Sequence, residues 1–335
     1  MAPNFSPATR ASELVPYYAS TIAGKTILIT GISSGSLGES FVKQVAVANP
    51  ATFILAGRSP TKFQSIVDHL AKTHPSITVK SLDLDLSSFA NVREAAEKVN
   101  SWSDVPHIDV LVNNAGVMAV PYSLTKDGFE NHFQTNHLGH FLFTNLIMEK
   151  ILASNAPRII NVSSMGHRQG SIRWADYNFS GGKLYDRMAA YGQSKTANAL
   201  TALALAEKLG NRGLLSFSVC PGSVGTNLAS HEADNIAGLL AEYQTADARV
   251  GTKWMFSQDI LFKDVDQGAA THVFAAFDPE ITKNNGAFLN HCRLADPYAE
   301  EVFPWATDKV WADMLWTLSE KLVGQEFKHF TADRR

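Results

Sequence analysis

Short apolar runs alternate with longer amphipathic stretches along this chain from residue 26 onward. Thr26–Thr30, Thr52–Ala56, Ile77–Leu82, Ile108–Val112, Arg158–Val162 and Leu215–Val219 are compact, several are β-branched, and Gly, Asn, Ser or Pro bound them. Runs of this kind read as strands buried on both faces. A seventh lies at Gly286–Asn290. Between the runs, helical stretches lie at Glu39–Ala48, Lys62–Thr73, Phe89–Ser101, Phe129–Ala153 and Tyr191–Leu209. Buried strands separated by helices predict parallel βαβ units, hence an α/β fold with a doubly wound parallel sheet of about seven strands flanked by helices.

No internal repeat, low-complexity tract or Pro/Gly/Ser linker divides the chain, so residues 24–335 are expected to form a single domain. Residues 1–23 form an N-terminal extension expected to pack through Leu14, Val15, Tyr17 and Tyr18. Residues 227–266 break the βα rhythm after the sixth strand, and a long excursion there suits a substrate lid. The last helix, Thr307–Leu322, places Met314, Leu315, Leu318 and Leu322 on one stripe, which is expected to cover the core.

Composition narrows the function. The 335 residues are 45% hydrophobic and 18% charged with a net charge of −3, an ordinary globular balance with no basic run for nucleic acid or anionic lipid. Cys220 and Cys292 are too few for a disulfide framework. The N-terminus lacks a secretory signal, and no apolar run approaches the ~20 residues that span a bilayer. A cytoplasmic protein without a membrane span is expected.

Thr26–Thr30 runs into Gly31-Ile32-Ser33-Ser34-Gly35-Ser36-Leu37-Gly38 and then a helix. Glycines allow a tight turn, and a helix N-terminus offers free N–H groups to a pyrophosphate. Gly31, Ser33, Gly35, Leu37 and Gly38 are therefore candidate dinucleotide contacts, and the spacing leaves open which of Ser36, Leu37 and Gly38 faces the phosphates. The second strand ends at Arg58, with Lys62 near and no carboxylate between Thr52 and Lys62, which favours the 2′-phosphate of NADP(H) over NAD(H). Tyr191 and Lys195 are four residues apart, one turn on a helix, where an ammonium lowers a phenol pKa and makes it a proton-transfer group. His132, His137 and His140 have no carboxylate or cysteine partner at ligand spacing, so no metal is expected.

These motifs together resemble the short-chain dehydrogenase/reductase family, in chain order from about residue 24 to 292. Asp85-Leu86-Ser87-Ser88 resembles its third-strand motif, whose Asp holds the adenine edge. Asn113-Asn114-Ala115-Gly116 resembles the fourth-strand motif beside the cofactor. Asn136-His137-Leu138-Gly139 resembles the segment with the catalytic Asn, which kinks a helix and holds a water in a proton relay. Asn161-Val162-Ser163-Ser164 resembles the motif with the catalytic Ser, with alignment favouring Ser164. Cys220-Pro221-Gly222-Ser223-Val224-Gly225-Thr226 resembles the turn that binds the nicotinamide amide. The phrasing around Asn136 and Tyr191 is similar to retinol-dehydrogenase-like and fungal secondary-metabolism members.

The resemblance implies a Rossmann-type NADP(H)-dependent oxidoreductase acting on a carbonyl/alcohol pair. Tyr191 exchanges the proton, Ser164 donates to the same oxygen, Lys195 lowers the Tyr191 pKa and bonds the nicotinamide ribose, and Asn136 links Lys195 to solvent. Asp85, Asn114, Val224 and Thr226 join the cofactor contacts. The helices with Asn136 and Tyr191 imply a homodimer face. Trp254, Met255, Phe256, Leu261 and Phe262 in the variable segment suit an apolar small-molecule substrate. Two departures stand out: Ser36 and Leu37 both separate Gly35 from Gly38, where the family has one residue, and Cys220 replaces a His of many relatives. An NAD-dependent sugar-nucleotide epimerase or dehydratase and a catalytically silent NADP-binding sensor are the alternatives. Gly is missing at Ser34 for the first, and the complete Asn136, Ser164, Tyr191, Lys195 set argues against the second.

Overall fold

The computed structural model describes residues 5–251, 262–299 and 301–329. Its strands are β1 (Thr26–Thr30), β2 (Thr52–Gly57), β3 (Thr78–Asp83), β4 (Val110–Asn113), β5 (Arg158–Val162), β6 (Leu215–Cys220), β7 (Ser223–Val224), β8 (Phe262–Lys263), β9 (Phe288–Asn290) and β10 (Arg293–Leu294). Eight of them form one sheet in the order β10-β9-β6-β5-β4-β1-β2-β3, parallel except for β10. Strands β7 and β8 pair separately. The eighth strand, absent from the sequence pattern, pairs with β9 across His291 and Cys292, both at positive φ (51° and 56°). A two-residue hairpin needs that conformation, and His-Cys carries none of the Asn-Gly signal that normally marks it.

Strand alternation explains the two-faced core. Ile27 and Ile29, Phe53 and Leu55, and Val110 and Val112 point to one face; Leu28, Ile54 and Leu111 point to the other. The first face is covered by α1 (Ala11–Tyr17), α3 (Leu37–Ala46), α4 (Gln64–Thr73) and α10 (Val265–Phe277), with α2 (Ala19–Ile22) between α1 and β1. The second is covered by α5 (Phe89–Ser101), α6 (Gly139–Leu146), α7 (Met148–Leu152), α8 (Arg187–Leu209) and α11 (Lys309–Val323). The edge strand β3 is half polar, and its Lys80 is held by Asp104 and lies over Trp102.

Several element edges differ from the sequence pattern. Helix α3 begins at Leu37, two residues early, because Ser36 caps it by accepting the Glu39 N–H. Tyr17 of the extension is exposed, whereas Leu14, Val15 and Tyr18 are buried and the Tyr18 hydroxyl donates to Asp278 at 2.6 Å. In α11 the buried stripe is Ala312, Leu315, Trp316, Ser319 and Val323, while Met314 faces out. Trp316 and Phe327 pack edge-on against Phe141 of α6, and Lys208 of α8 pairs with Asp313. Phe141, Phe143 and Ile147 are thus core residues, and α11 covers one side of α6 and α8.

Candidate active site

The chain runs outward from β1 through β2 to β3, then returns to β4 and continues through β5 to β6 on the other side. Ligands of doubly wound sheets bind at the carboxyl end of this reversal. The β1–α3 turn stands there. A β-carbon on Gly31 would fall 2.5 Å from the Ala115 Cα, and one on Gly38 would fall 2.6 Å from the Gly31 carbonyl, so both positions admit only glycine. Gly35 has φ +74°, and a β-carbon there would meet only Asn227 Nδ2, at 3.6 Å, which leaves its face open. Asn114 ties the turn to β4 by donating Nδ2 to the carbonyls of Thr30 (2.9 Å) and Gly31 (3.1 Å).

The extra residue in this turn is absorbed by the cap. The Ser36 hydroxyl accepts the N–H groups of Ser33 and Glu39, each at 3.1 Å, and so faces inward. Leu37 and Gly38 become the first two helical residues, whose N–H groups have no acceptor within the helix. The Gly35 N–H is already held by Glu39 Oε2 at 2.5 Å. A cradle that excludes side chains beside free helix-start amides fits a dinucleotide phosphate. Arg58 is exposed at the end of β2, with no ion pair among the described residues. Asp85 accepts the N–H and hydroxyl of Ser87. Val224 lies in β7, where Val224 and Leu37 both close on Gly268 of α10, and the Thr226 hydroxyl accepts from Leu228 N–H.

Helix α8 brings Tyr191 to Ser164. Its N-terminus is capped by Asp186, which accepts the Ala189 N–H at 2.8 Å. The loop after β5 lies directly on the helix because Gly166, Gly170 and Gly192 carry no side chains. A β-carbon on Gly192 would fall 2.5 Å from the Gly170 nitrogen. Sequence reasoning passed over these glycines, although two of them closely follow Ser164. Of the two serines, Ser163 donates to the Lys195 carbonyl (2.8 Å), while Ser164 accepts the Gly166 N–H and lies on the Tyr191 side of that glycine.

Lys195 is buried, donates to the Val162 carbonyl at 2.9 Å, and lies 5.6 Å from the Tyr191 ring centre. Burial lowers its pKa to about 8. The net shift of Tyr191 is upward, against the lowering expected from Lys195 alone. Burial, first, and the neighbouring Tyr243 push the Tyr191 pKa up, and the nearby Ser164 hydroxyl offsets only part of this. Desolvation disfavours a phenolate more than spacing along a helix can favour it.

Asn136 lies in a π-helical stretch, Phe133–Leu138. Its Nδ2 donates to the Val117 carbonyl and to Ser194 Oγ, both at 2.9 Å, and its Oδ1 accepts the Val117 N–H at 2.8 Å. Ser194, unremarked in the sequence, in turn donates to the Tyr191 carbonyl. The three histidines take separate partners. His132 pairs with the buried Glu130 at 2.7 Å, correcting the reading that it had no carboxylate neighbour; His137 bonds Ser319, and His140 bonds Thr30 and Asn136. No group of three metal-binding side chains occurs among the described residues.

The far wall comes from α9 (Ile236–Val250), part of the excursion after β6. Leu239, Tyr243 and Ala246 pack on Met118, Ala119 and Met188 beside Tyr191. Arg187 holds this helix through Glu242 and the turn before it through Glu232 and also donates to the Ala119 carbonyl, and Arg249 pairs with Asp186. Trp254, Met255, Phe256 and Leu261 lie outside the described residues, and Phe262 is exposed.

Comparison with known proteins agrees with this geometry. The family model for short chain dehydrogenases matches residues 25–182. Human retinol dehydrogenase 11 is 33% identical over 90% of this chain and 87% of its own length. The chloroplastic short-chain dehydrogenase TIC 32 B of Brassica napus is 33% identical over 89% of this chain and 88% of its own. The crystal structure of an uncharacterised protein from Mycobacterium paratuberculosis superposes with a TM-score of 0.68 at 31% identity, covering 92% of this chain and 98% of that one. The chain belongs to the short-chain dehydrogenase/reductase family of oxidoreductases, whose members use nicotinamide cofactors on small-molecule substrates. No helix among the described residues is long and apolar enough to cross a membrane.

Proposed function

We propose that this protein is an NADP(H)-dependent oxidoreductase that interconverts a carbonyl and an alcohol on an apolar small molecule. The observation that carries the reading is that Ser164 and Tyr191 meet over Gly166, whose β-carbon would lie 3.3 Å from Ser164 Oγ and 2.6 Å from Tyr191 Cε1, with Lys195 one turn along the same buried helix. The nicotinamide, when bound, supplies or accepts the hydride. Tyr191, kept protonated by burial, suits proton donation to a substrate oxygen. Ser164 donates to the same oxygen and stabilises the charge that develops there. Lys195 orients the cofactor ribose and, with Asn136, returns the proton. Gly31, Ser33, Gly35, Leu37, Gly38, Asp85, Asn114, Val224 and Thr226 form the remaining cofactor contacts, and Arg58 takes the 2′-phosphate. Met118, Leu239 and Tyr243 line the side facing Tyr191 and support an apolar substrate, in keeping with the retinol dehydrogenases among the relatives.

The test is NADPH oxidation with a panel of apolar aldehydes, ketones and quinones, beside NADH as control. Turnover with an apolar carbonyl and preference for NADPH is the expected result. Tight NADPH binding without turnover of any carbonyl overturns the enzyme assignment.

A further inference from the structure

We infer that His140 is a positioning residue that holds the Asn136 carbonyl through a single fixed tautomer, and thereby joins the end of β1 to the helical segment that carries Asn136. The inference rests on the reading of Asn136, Tyr191 and Lys195 as a working site. It starts at Thr30, the last residue of β1. A threonine hydroxyl has two acceptor lone pairs and one proton to give. The N–H groups of Asn114 (3.0 Å) and Ala115 (2.9 Å) use both lone pairs. Thr30 therefore donates its proton to His140 Nε2, 2.9 Å away.

An Nε2 that accepts carries no proton, so the neutral ring is protonated at Nδ1. Nδ1 lies 3.0 Å from the Asn136 carbonyl and donates to it. Charging the ring would set an N–H against the Thr30 hydroxyl proton and force that chain of bonds to turn over. The environment opposes this. Burial holds the His140 pKa at about 4; the Asn136 carbonyl offsets part of the effect, and the nearby Lys195 charge adds to it. The imidazole is 3% exposed.

With this bond, the side-chain amide of Asn136 is engaged by Val117 and Ser194 and its backbone carbonyl by His140. The π-helical stretch alters the regular ladder at this residue, and the His140 side chain adds a second donor to its carbonyl region. One ring thus links the end of β1, the Asn114–Ala115 turn and the Asn136 segment. Asn136 and Lys195 face each other across Gly116, whose β-carbon would lie 3.1 Å from Asn136 Oδ1 and 3.6 Å from Lys195 Nζ.

Three substitutions separate the two ends of the ring. His140→Asn keeps an N–H near the Nδ1 position and loses the reach to Thr30. His140→Gln reaches Thr30 but leaves the Asn136 carbonyl, and His140→Leu loses both. Steady-state turnover and NADPH affinity are measured for each, together with ¹⁵N-histidine NMR of the parent. Turnover is expected to fall roughly tenfold or more in the Gln and Leu variants, with NADPH affinity retained, and to stay within about threefold in Asn. The parent spectrum is expected to show His140 as the Nδ1–H tautomer, untitrated through neutral pH. Parent-like turnover in His140→Leu, or Gln rescuing better than Asn, overturns the inference. If the parent reduces no carbonyl, the oxidoreductase reading fails, and the spectrum alone decides the device: an Nε2–H tautomer or titration near the ordinary histidine value refutes it.

Discussion

Gly166 and Tyr191 are so close that a β-carbon on the glycine would lie 2.6 Å from Cε1 of the phenol ring. The same β-carbon would be 3.3 Å from Ser164 Oγ, so this one position sets the fit between the serine loop and the tyrosine. Gly166→Ala should push the ring or the loop aside at an overpacking cost of ~1–3 kcal/mol. Turnover should drop by about tenfold or more, because catalytic geometry tolerates less displacement than folding does. Kinetics beside thermal melts check this, and an unchanged kcat would show that the contact is not limiting.

Tyr191→Phe removes one hydroxyl from a packed ring and leaves the fold and NADPH binding in place. Turnover should fall by ~10² or more if this phenol exchanges the proton. Near-parental turnover of a true substrate would send the search to another acid.

Arg58→Asp tests cofactor choice. Loss of a charge-assisted pair and gain of repulsion should weaken NADPH binding by roughly 2–4 kcal/mol and NADH binding far less. Calorimetric titration of both cofactors measures the difference. Equal affinity of the parent protein for NADH and NADPH would remove the basis of the prediction.

Lys195 links catalysis to stability. Its pKa falls from 10.5 to about 8 in the fold, so between those values the unfolded chain holds more protons than the folded one. Folding stability from this group therefore rises with pH from about 8 to about 10.5, and the penalty for burying the ammonium is fully present below that window. Lys195→Met should abolish this rise and, at neutral pH, match or exceed the parent in stability, by at most ~3 kcal/mol. The loss of the bond to Val162 reduces the gain. Denaturant titrations across the pH range report both, and a variant with the parent's alkaline rise would contradict the linkage.

Arg187 of α8 fastens α9 through Glu242 and the turn before it through Glu232, and it also bonds the Ala119 carbonyl. Arg187→Met should speed hydrogen exchange across Ile236–Val250 while α8 stays protected. This helix is proposed as the moving wall of the substrate site, so NADPH with a bound ligand should restore protection. Unaltered exchange in the variant would mean that Leu239, Tyr243 and Ala246 hold the helix by packing alone.

The periodicity of the sequence determined the sheet. Thr26–Thr30 and Arg158–Val162 are strands and Phe89–Ser101 a helix at the residues the pattern marks, because burial on one or two faces imposes a local spacing on any chain. The glycine turn, Arg58 at the end of β2, and the one-turn spacing of Tyr191 and Lys195 were also readable, since each depends on residues near in sequence. Other features depend on which distant segments meet. Ser163 and Ser164 are chemically alike, and only the packing of the serine loop on α8 turns one to the Lys195 carbonyl and the other to Tyr191. Glu130 and His132 were legible as residues but not as a buried pair. The sign of the Tyr191 shift followed the same logic: helical spacing sets where Lys195 stands, but the surrounding elements remove the water that would have stabilised a phenolate. Solvent exclusion is a property of the assembled layers, and no short stretch of sequence contains it.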